Sequence, residues 1–95
     1  MNDHGEVRVR LRIVGRVQGV GFRWWAAREA RALALAGSIH NEADGSVEIE
    51  AEGPAAEVTR FRALLQAGPP HAFVERVEDV PPTRGRLPSP FAIRA

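Results

Sequence analysis

Residues 7–14 run Val-Arg-Val-Arg-Leu-Arg-Ile-Val, and residues 46–52 run Ser-Val-Glu-Ile-Glu-Ala-Glu. Both segments alternate apolar and charged side chains with a period of two, which suits a half-buried strand and does not suit a helix. In the first segment Val7, Val9, Leu11 and Ile13 are predicted to point inward. The charges on the other face are opposite in sign. If the two strands are antiparallel neighbours, Arg8, Arg10 and Arg12 face Glu48, Glu50 and Glu52 across an exposed sheet surface. Cross-strand pairing then accounts for both charged rows without any ligand.

The segments between and around these strands complete a pattern. Residues 15–21 form a glycine-rich turn, and residues 22–35, rich in Ala, Arg and Leu without Pro or Gly, predict a helix. Gly37 stands where a left-handed cap is expected. Residues 38–42 read as a short strand, and Ala43-Asp44-Gly45 as a hairpin turn into the Glu-bearing strand. Gly53-Pro54 opens a second helix, with Pro in a favoured first-turn position. Its apolar face is Val58, Phe61, Leu64 and Leu65, and Gly68-Pro69-Pro70 ends it.

Residues 73–80 predict a fourth strand carrying Phe73, Val74, Val77 and Val80. Residues 81–90 hold four Pro and one Gly and predict an irregular loop; Phe91–Arg94 predicts a short last strand. The order is βαββαβ with a fifth short strand. This is an α+β chain with an antiparallel sheet and two helices on one face, a sandwich of the ferredoxin-like type. Residues 1–6 are expected to be a frayed tail and residues 7–95 one domain.

Composition excludes several chemistries. The 95 residues contain no Cys, so thiolate nucleophiles, disulfides and zinc–thiolate sites are absent. All 13 basic residues are Arg, which removes a Schiff-base lysine and the lysine of a P-loop. The three His (His4, His40, His71) are widely spaced with no His–carboxylate cluster in the sequence, so neither a metal nor another cofactor is expected. His4 falls in the tail, and His71, in a Pro-rich turn, reads as solvated. A polar, acidic N-terminus and the lack of a long apolar run predict a cytoplasmic chain with no membrane partner. No exposed apolar seam is evident, so a monomer is expected.

The stretch Gly15-Arg16-Val17-Gln18-Gly19-Val20-Gly21-Phe22-Arg23 joins the first strand to the first helix. Its glycines permit positive φ and close backbone approach. Successive amides in such a turn make a nest for an anion, and a helix N-terminus adds partial positive charge. Arg23 stands at the helix start, where its guanidinium can give two parallel hydrogen bonds to phosphate. A tight strand-to-helix turn with a surface Arg explains the same residues equally well. Gly15-x-x-x-Gly19-x-Gly21 also matches a dinucleotide-loop spacing, but the following strand carries His40-Asn41 and enters a hairpin instead of a parallel βαβ unit. Asn41, near that strand's end, has an ordinary role available in bonding the turn backbone.

Two motifs together resolve this balance. The loop above fits G-x-V-Q-G-V-x-[FY]-R, and Gly37 to Glu48 fits G-x-[VI]-x-N-x-x-D-G-x-V-E at the expected spacing. The chain thereby closely resembles the acylphosphatase family from Val7 to Arg94. The resemblance implies hydrolysis of a small-molecule acyl phosphate without a cofactor. By the same resemblance, backbone amides of Arg16, Val17, Gln18, Gly19, Val20, Gly21 and Phe22 cradle the phosphoryl group. Arg23 binds its oxygens, and Asn41 positions the attacking water. The family often has an aromatic residue where Ser38 stands and an Arg where His40 stands; these positions are expected to flank the site.

Such spare machinery suits the substrate. An acyl phosphate expels a carboxylate, so departure needs no strong acid, and phosphoryl transfer rests mainly on positioning and electrostatics. Of the adjacent Trp24 and Trp25, one is expected to pack on the core. The other is expected to be partly exposed in a surface-packing role, with contact to the acyl group as the alternative. Two rival functions are a non-catalytic anion-binding module and a domain within a carbamoyl-phosphate-handling assembly. RNA binding is disfavoured because the central strands expose no aromatic residue and the net charge is only +1.

Overall fold

A computed structural model describes residues 5–95. The predicted frayed tail falls mainly in residues 1–4, and that segment and His4 lie outside the described residues. The elements are β1 (Glu6–Arg16), α1 (Phe22–Ala32), β2 (Ala36–Asn41), β3 (Val47–Pro54), α2 (Ala55–Ala67), β4 (Phe73–Val80) and β5 (Ala92–Ile93). They form one sheet in the order β4-β1-β3-β2-β5. Each neighbouring pair among the four long strands is antiparallel, and β5 adds a parallel pairing to β2 through Ser38 with Ala92 and Ile39 with Ile93. β1 begins one residue before the predicted strand, with Glu6 paired to Pro54. Among the described residues, no helix is long and apolar enough to cross a membrane.

Burial follows the period-two pattern. Leu11 and Ile13 from β1 and Val47, Ile49 and Ala51 from β3 point to the helices, where Phe22, Ala26, Ala27 and Ala30 of α1 and Val58, Phe61 and Leu65 of α2 close over them. Phe91 completes the core with its ring edge-on to Phe61, centroids 6.0 Å apart. Val7 lies 37% exposed at the strand's outer end, so the inward set begins effectively at Val9. In β4 the register slips opposite Val14 and Gly15, so that Val74 and Val77 both reach the core while Phe73 stays exposed. A bulge resets side-chain parity, which is why simple alternation fails there.

α1 is shorter than its sequence suggests. It ends at Ala32, and Ala34 takes the left-handed conformation (φ 58°) expected of Gly37. The amide of Leu35 closes the end on the Ala30 carbonyl at 3.0 Å. Gly37 is instead a strand residue whose amide donates to the Pro88 carbonyl at 2.8 Å. A Cβ at Gly37 would stand 1.9 Å from the Glu50 carbonyl oxygen, so the need there is space between strands. Pro54 likewise precedes the first turn of α2 instead of occupying it.

The charged rows pair as expected: Arg8 opposes Glu52, Arg10 opposes Glu50 and Arg12 opposes Glu48. The side chains re-partner within that register. Arg10 donates to both oxygens of Glu48, each at 3.0 Å, and Arg12 reaches Asp44 in the hairpin. Glu50 accepts instead from the amide and hydroxyl of Thr83, at 2.6 and 2.7 Å. Thr83 belongs to the proline-rich loop of residues 81–90, which crosses this face as a strap. Arg8 and Arg10 also donate to the carbonyls of Thr83, Gly85 and Pro81. The face predicted to be open to solvent is therefore partly roofed, because the short Arg and Glu ladder supplies donors and acceptors to a loop with few amides of its own.

Candidate active site

The loop between β1 and α1 is held at both ends. Val17 is buried in the core, and the Gln18 amide nitrogen donates to the carbonyls of Glu42 and Ser46, both at 2.8 Å. Those carbonyls flank the β2–β3 hairpin, so one side chain ties the loop to the strand end that carries Asn41. Between these anchors Gly19 and Gly21 adopt φ of 74° and 79°, a region where a Cβ costs roughly 1–2 kcal/mol. A Cβ at either would meet no atom within 4 Å, so the glycines answer to backbone conformation and leave the adjoining space open.

Gly21 occupies the N-cap of α1 and offers no side chain to the first amides. The Trp25 amide is bonded to the Gly21 carbonyl at 3.0 Å, which leaves the amides before it as the unpaired start of the helix. The first turn carries no acidic residue and does carry Arg23. A guanidinium beside the positive end of a helix dipole is unfavourable unless an anion stands between them. Arg23 is held by donating to the Arg94 carbonyl at 2.7 Å, just beyond β5.

Asn41 ends β2 on the same face as buried Ile39, and so points toward the helix side of the sheet. Its Oδ1 is buried and has no hydrogen-bond partner among the described residues. An orphan acceptor of this kind is uncommon in a folded chain. Val17, Gly19, Gly21, Phe22, Arg23, Trp24 and Asn41 line one cavity of about 120 Å³ that no carboxylate borders. Pockets for drug-sized ligands run to ~300–1,000 Å³, so this one suits a small anion with the rest of its molecule outside.

Of the residues singled out in the sequence, the fold thus gathers Val17, Gly19, Gly21, Phe22, Arg23 and Asn41 around one space. Arg16 is the last residue of β1, paired with Phe73, and Gln18 and Val20 do not line the cavity. Gln18 acts through its side chain, a role not evident from a backbone cradle. Trp25 packs on Phe22, with centroids 5.5 Å apart, while Trp24 is 74% exposed. Trp24 also lines the cavity, which keeps contact with an acyl group open beside the surface role expected for it.

Ser38 and His40 do not flank this cavity. They share the parity opposite to Asn41 and lie on the strap side of the sheet, where both line a separate cavity. There His40 Nε2 stands 2.6 Å from Glu42 Oε2 and 3.6 Å from Glu48 Oε1. The sequence shows no such His–carboxylate cluster, because Glu42 lies just past the end of β2 and Glu48 is the cross-strand partner of His40. One ligand atom from each lies within 4.8 Å of the others, a donor set able to hold a divalent cation, but on the face away from Arg23 and Asn41. In the hairpin, the Ser46 hydroxyl and amide, followed by Arg12, hold the Asp44 carboxyl below its usual range.

Comparison with known proteins identifies the family. The Acylphosphatase family model matches residues 9–93. An acylphosphatase of Actinobacillus succinogenes is 42% identical over 87 residues, spanning 92% of this chain and 97% of the relative. Among solved structures, the Bacillus subtilis acylphosphatase superimposes with a TM-score of 0.79 at 36% identity, covering 93% of this chain and 98% of that one. A Coxiella burnetii acylphosphatase gives 0.82 at 31% identity, with coverage of 99% and 100%. Matched along nearly its whole length by the family model and by relatives of its own size, this chain belongs to the acylphosphatase family of hydrolases.

Proposed function

We propose that the chain cleaves the carboxyl–phosphate bond of a small acyl phosphate by in-line attack of a water positioned by Asn41. The observation that carries the water's place is the buried, unpartnered Oδ1 of Asn41 in the same cavity as Arg23 and the loop glycines. Loop amides and the unpaired start of α1 receive the phosphoryl oxygens, with Arg23 adding a bidentate, permanently charged donor. Asn41 accepts a hydrogen bond from water and aims its oxygen at phosphorus. The water oxygen forms a bond to phosphorus as the bridging bond breaks, and the carboxylate leaves with the electron pair. The water's proton passes to a phosphate oxygen, giving carboxylate and inorganic phosphate.

Charge spreading over the transferring group is met by donors already in place, the usual source of acceleration in phosphoryl transfer. In this scheme amides and Arg23 supply the positive charge, so no metal is required. Trp24 offers the acyl portion an apolar surface at the mouth. The cavity serves one small molecule, and the chain is taken to act as a monomer.

Hydrolysis of benzoyl phosphate with excess chelator tests the scheme. The parent is expected to turn over, with Arg23→Gln and Asn41→Ala each slowed by about 10²–10³-fold while remaining folded. Phosphate affinity should fall mainly in Arg23→Gln. A folded parent that binds phosphate without turnover would reduce the site to an anion-binding module. Unchanged turnover in Asn41→Ala would remove the water-positioning role.

A further inference from the structure

We propose that the cavity beneath the strap is a second anion site, suited to a small multivalent anion such as one bearing two phosphate groups. This cavity of about 270 Å³ is bounded by β1, β2, β3, the strap and the residue after β5. Four guanidiniums line it, from Arg10, Arg84, Arg86 and Arg94, along with Glu48 and Glu50. The two carboxylates are already engaged. Glu48 accepts from Arg10 through both oxygens, and Glu50 accepts from the Thr83 amide and hydroxyl. Side chains of Arg84, Arg86 and Arg94 make no hydrogen bond or ion pair with any described residue.

Three uncompensated cations thus converge on a concave surface. Arginine cannot shed its proton, so the charge persists across the physiological range. A walled cleft with an excess of one sign of charge concentrates counter-ions, and planar guanidinium forks match phosphate oxygens two at a time. A single monoanion leaves most of that charge unanswered; a diphosphate group matches it. No Phe, Tyr or Trp lines the space to stack a base, and its one imidazole, His40, is engaged by Glu42, which sets aside a nucleic acid.

The site is distinct from the catalytic cavity yet joined to it by two short links. Arg94 lines the strap cavity, and its carbonyl accepts from Arg23. His40 lines the strap cavity, and the next residue, Asn41, lines the catalytic one.

Calorimetric titration with inorganic pyrophosphate in low-salt, metal-free buffer tests the assignment. Arg23→Gln, whose catalytic cavity has lost its cation, is expected to retain one equivalent of binding. Adding Arg84→Gln and Arg86→Gln to that variant should weaken it by about tenfold or more. Arg84→Gln/Arg86→Gln alone should keep the parent's benzoyl phosphate turnover and melting temperature, because neither side chain holds the fold. Failure of Arg23→Gln to bind pyrophosphate would overturn the proposal. So would binding that survives the loss of both strap arginines.

Discussion

Arg10 and Arg23 place the same guanidinium on opposite sides of one sheet, and their surroundings differ in kind. Arg10 sits in a ladder that completes itself: Glu48 and the Pro81 carbonyl accept its hydrogen bonds. Arg23 stands at a helix start without any acidic residue, anchored by a single carbonyl and facing an orphan acceptor across a small cavity. Charge that is internally satisfied stabilises a fold, whereas charge and dipoles left open create demand for a ligand. Counting arginines does not distinguish the two; the count of available partners does.

Three substitutions test this contrast beyond Arg23 and Asn41 themselves. Gln18→Ala removes both ties between loop and hairpin, so turnover should fall by about tenfold or more through misplaced amides. The melting temperature should drop by only a few degrees, corresponding to about 1–2 kcal/mol for two hydrogen bonds. A parallel loss of fold and activity would show that Gln18 is merely structural. Arg10→Gln should behave in the reverse sense. We expect about 1 kcal/mol of lost stability by denaturant unfolding, for a half-exposed pair, with catalysis unchanged. A catalytic defect there would blur the distinction between the faces.

Trp24→Ala should give the smallest effect. Stability should stay within about 0.5 kcal/mol, as for an exposed position. The kcat/KM for benzoyl phosphate should fall a few-fold relative to acetyl phosphate, because only the larger acyl group reaches the ring. Equal changes for both substrates would remove Trp24 from the acyl side of the site.

Much of this was legible in one dimension because its physics is local. Strict alternation in β1 and β3 announced two half-buried strands, and the element order announced that their charged rows face each other. The positive φ of the loop glycines was legible because it is a short-range property, as is the place of Arg23 at a helix start. Helix α1 was less legible: Ala34 takes the left-handed turn because Gly37 is needed between strands, a demand set by Glu50 and Pro88 far along the chain. Gln18 was hidden for the same reason, since its partners lie 24 and 28 residues away.

By itself, the sequence determined the strand and helix pattern, the absence of lysine and thiol chemistry, and the double motif of loop and hairpin. Each rests on residue identity or spacing along a few bonds. Tertiary structure alone decided which of several arginines remain unanswered, which Trp borders the cavity, and that Ser38 and His40 belong to the far face. Those depend on which groups from distant segments reach one another first, and in a sheet a single residue's shift in parity moves a side chain from one face to the other.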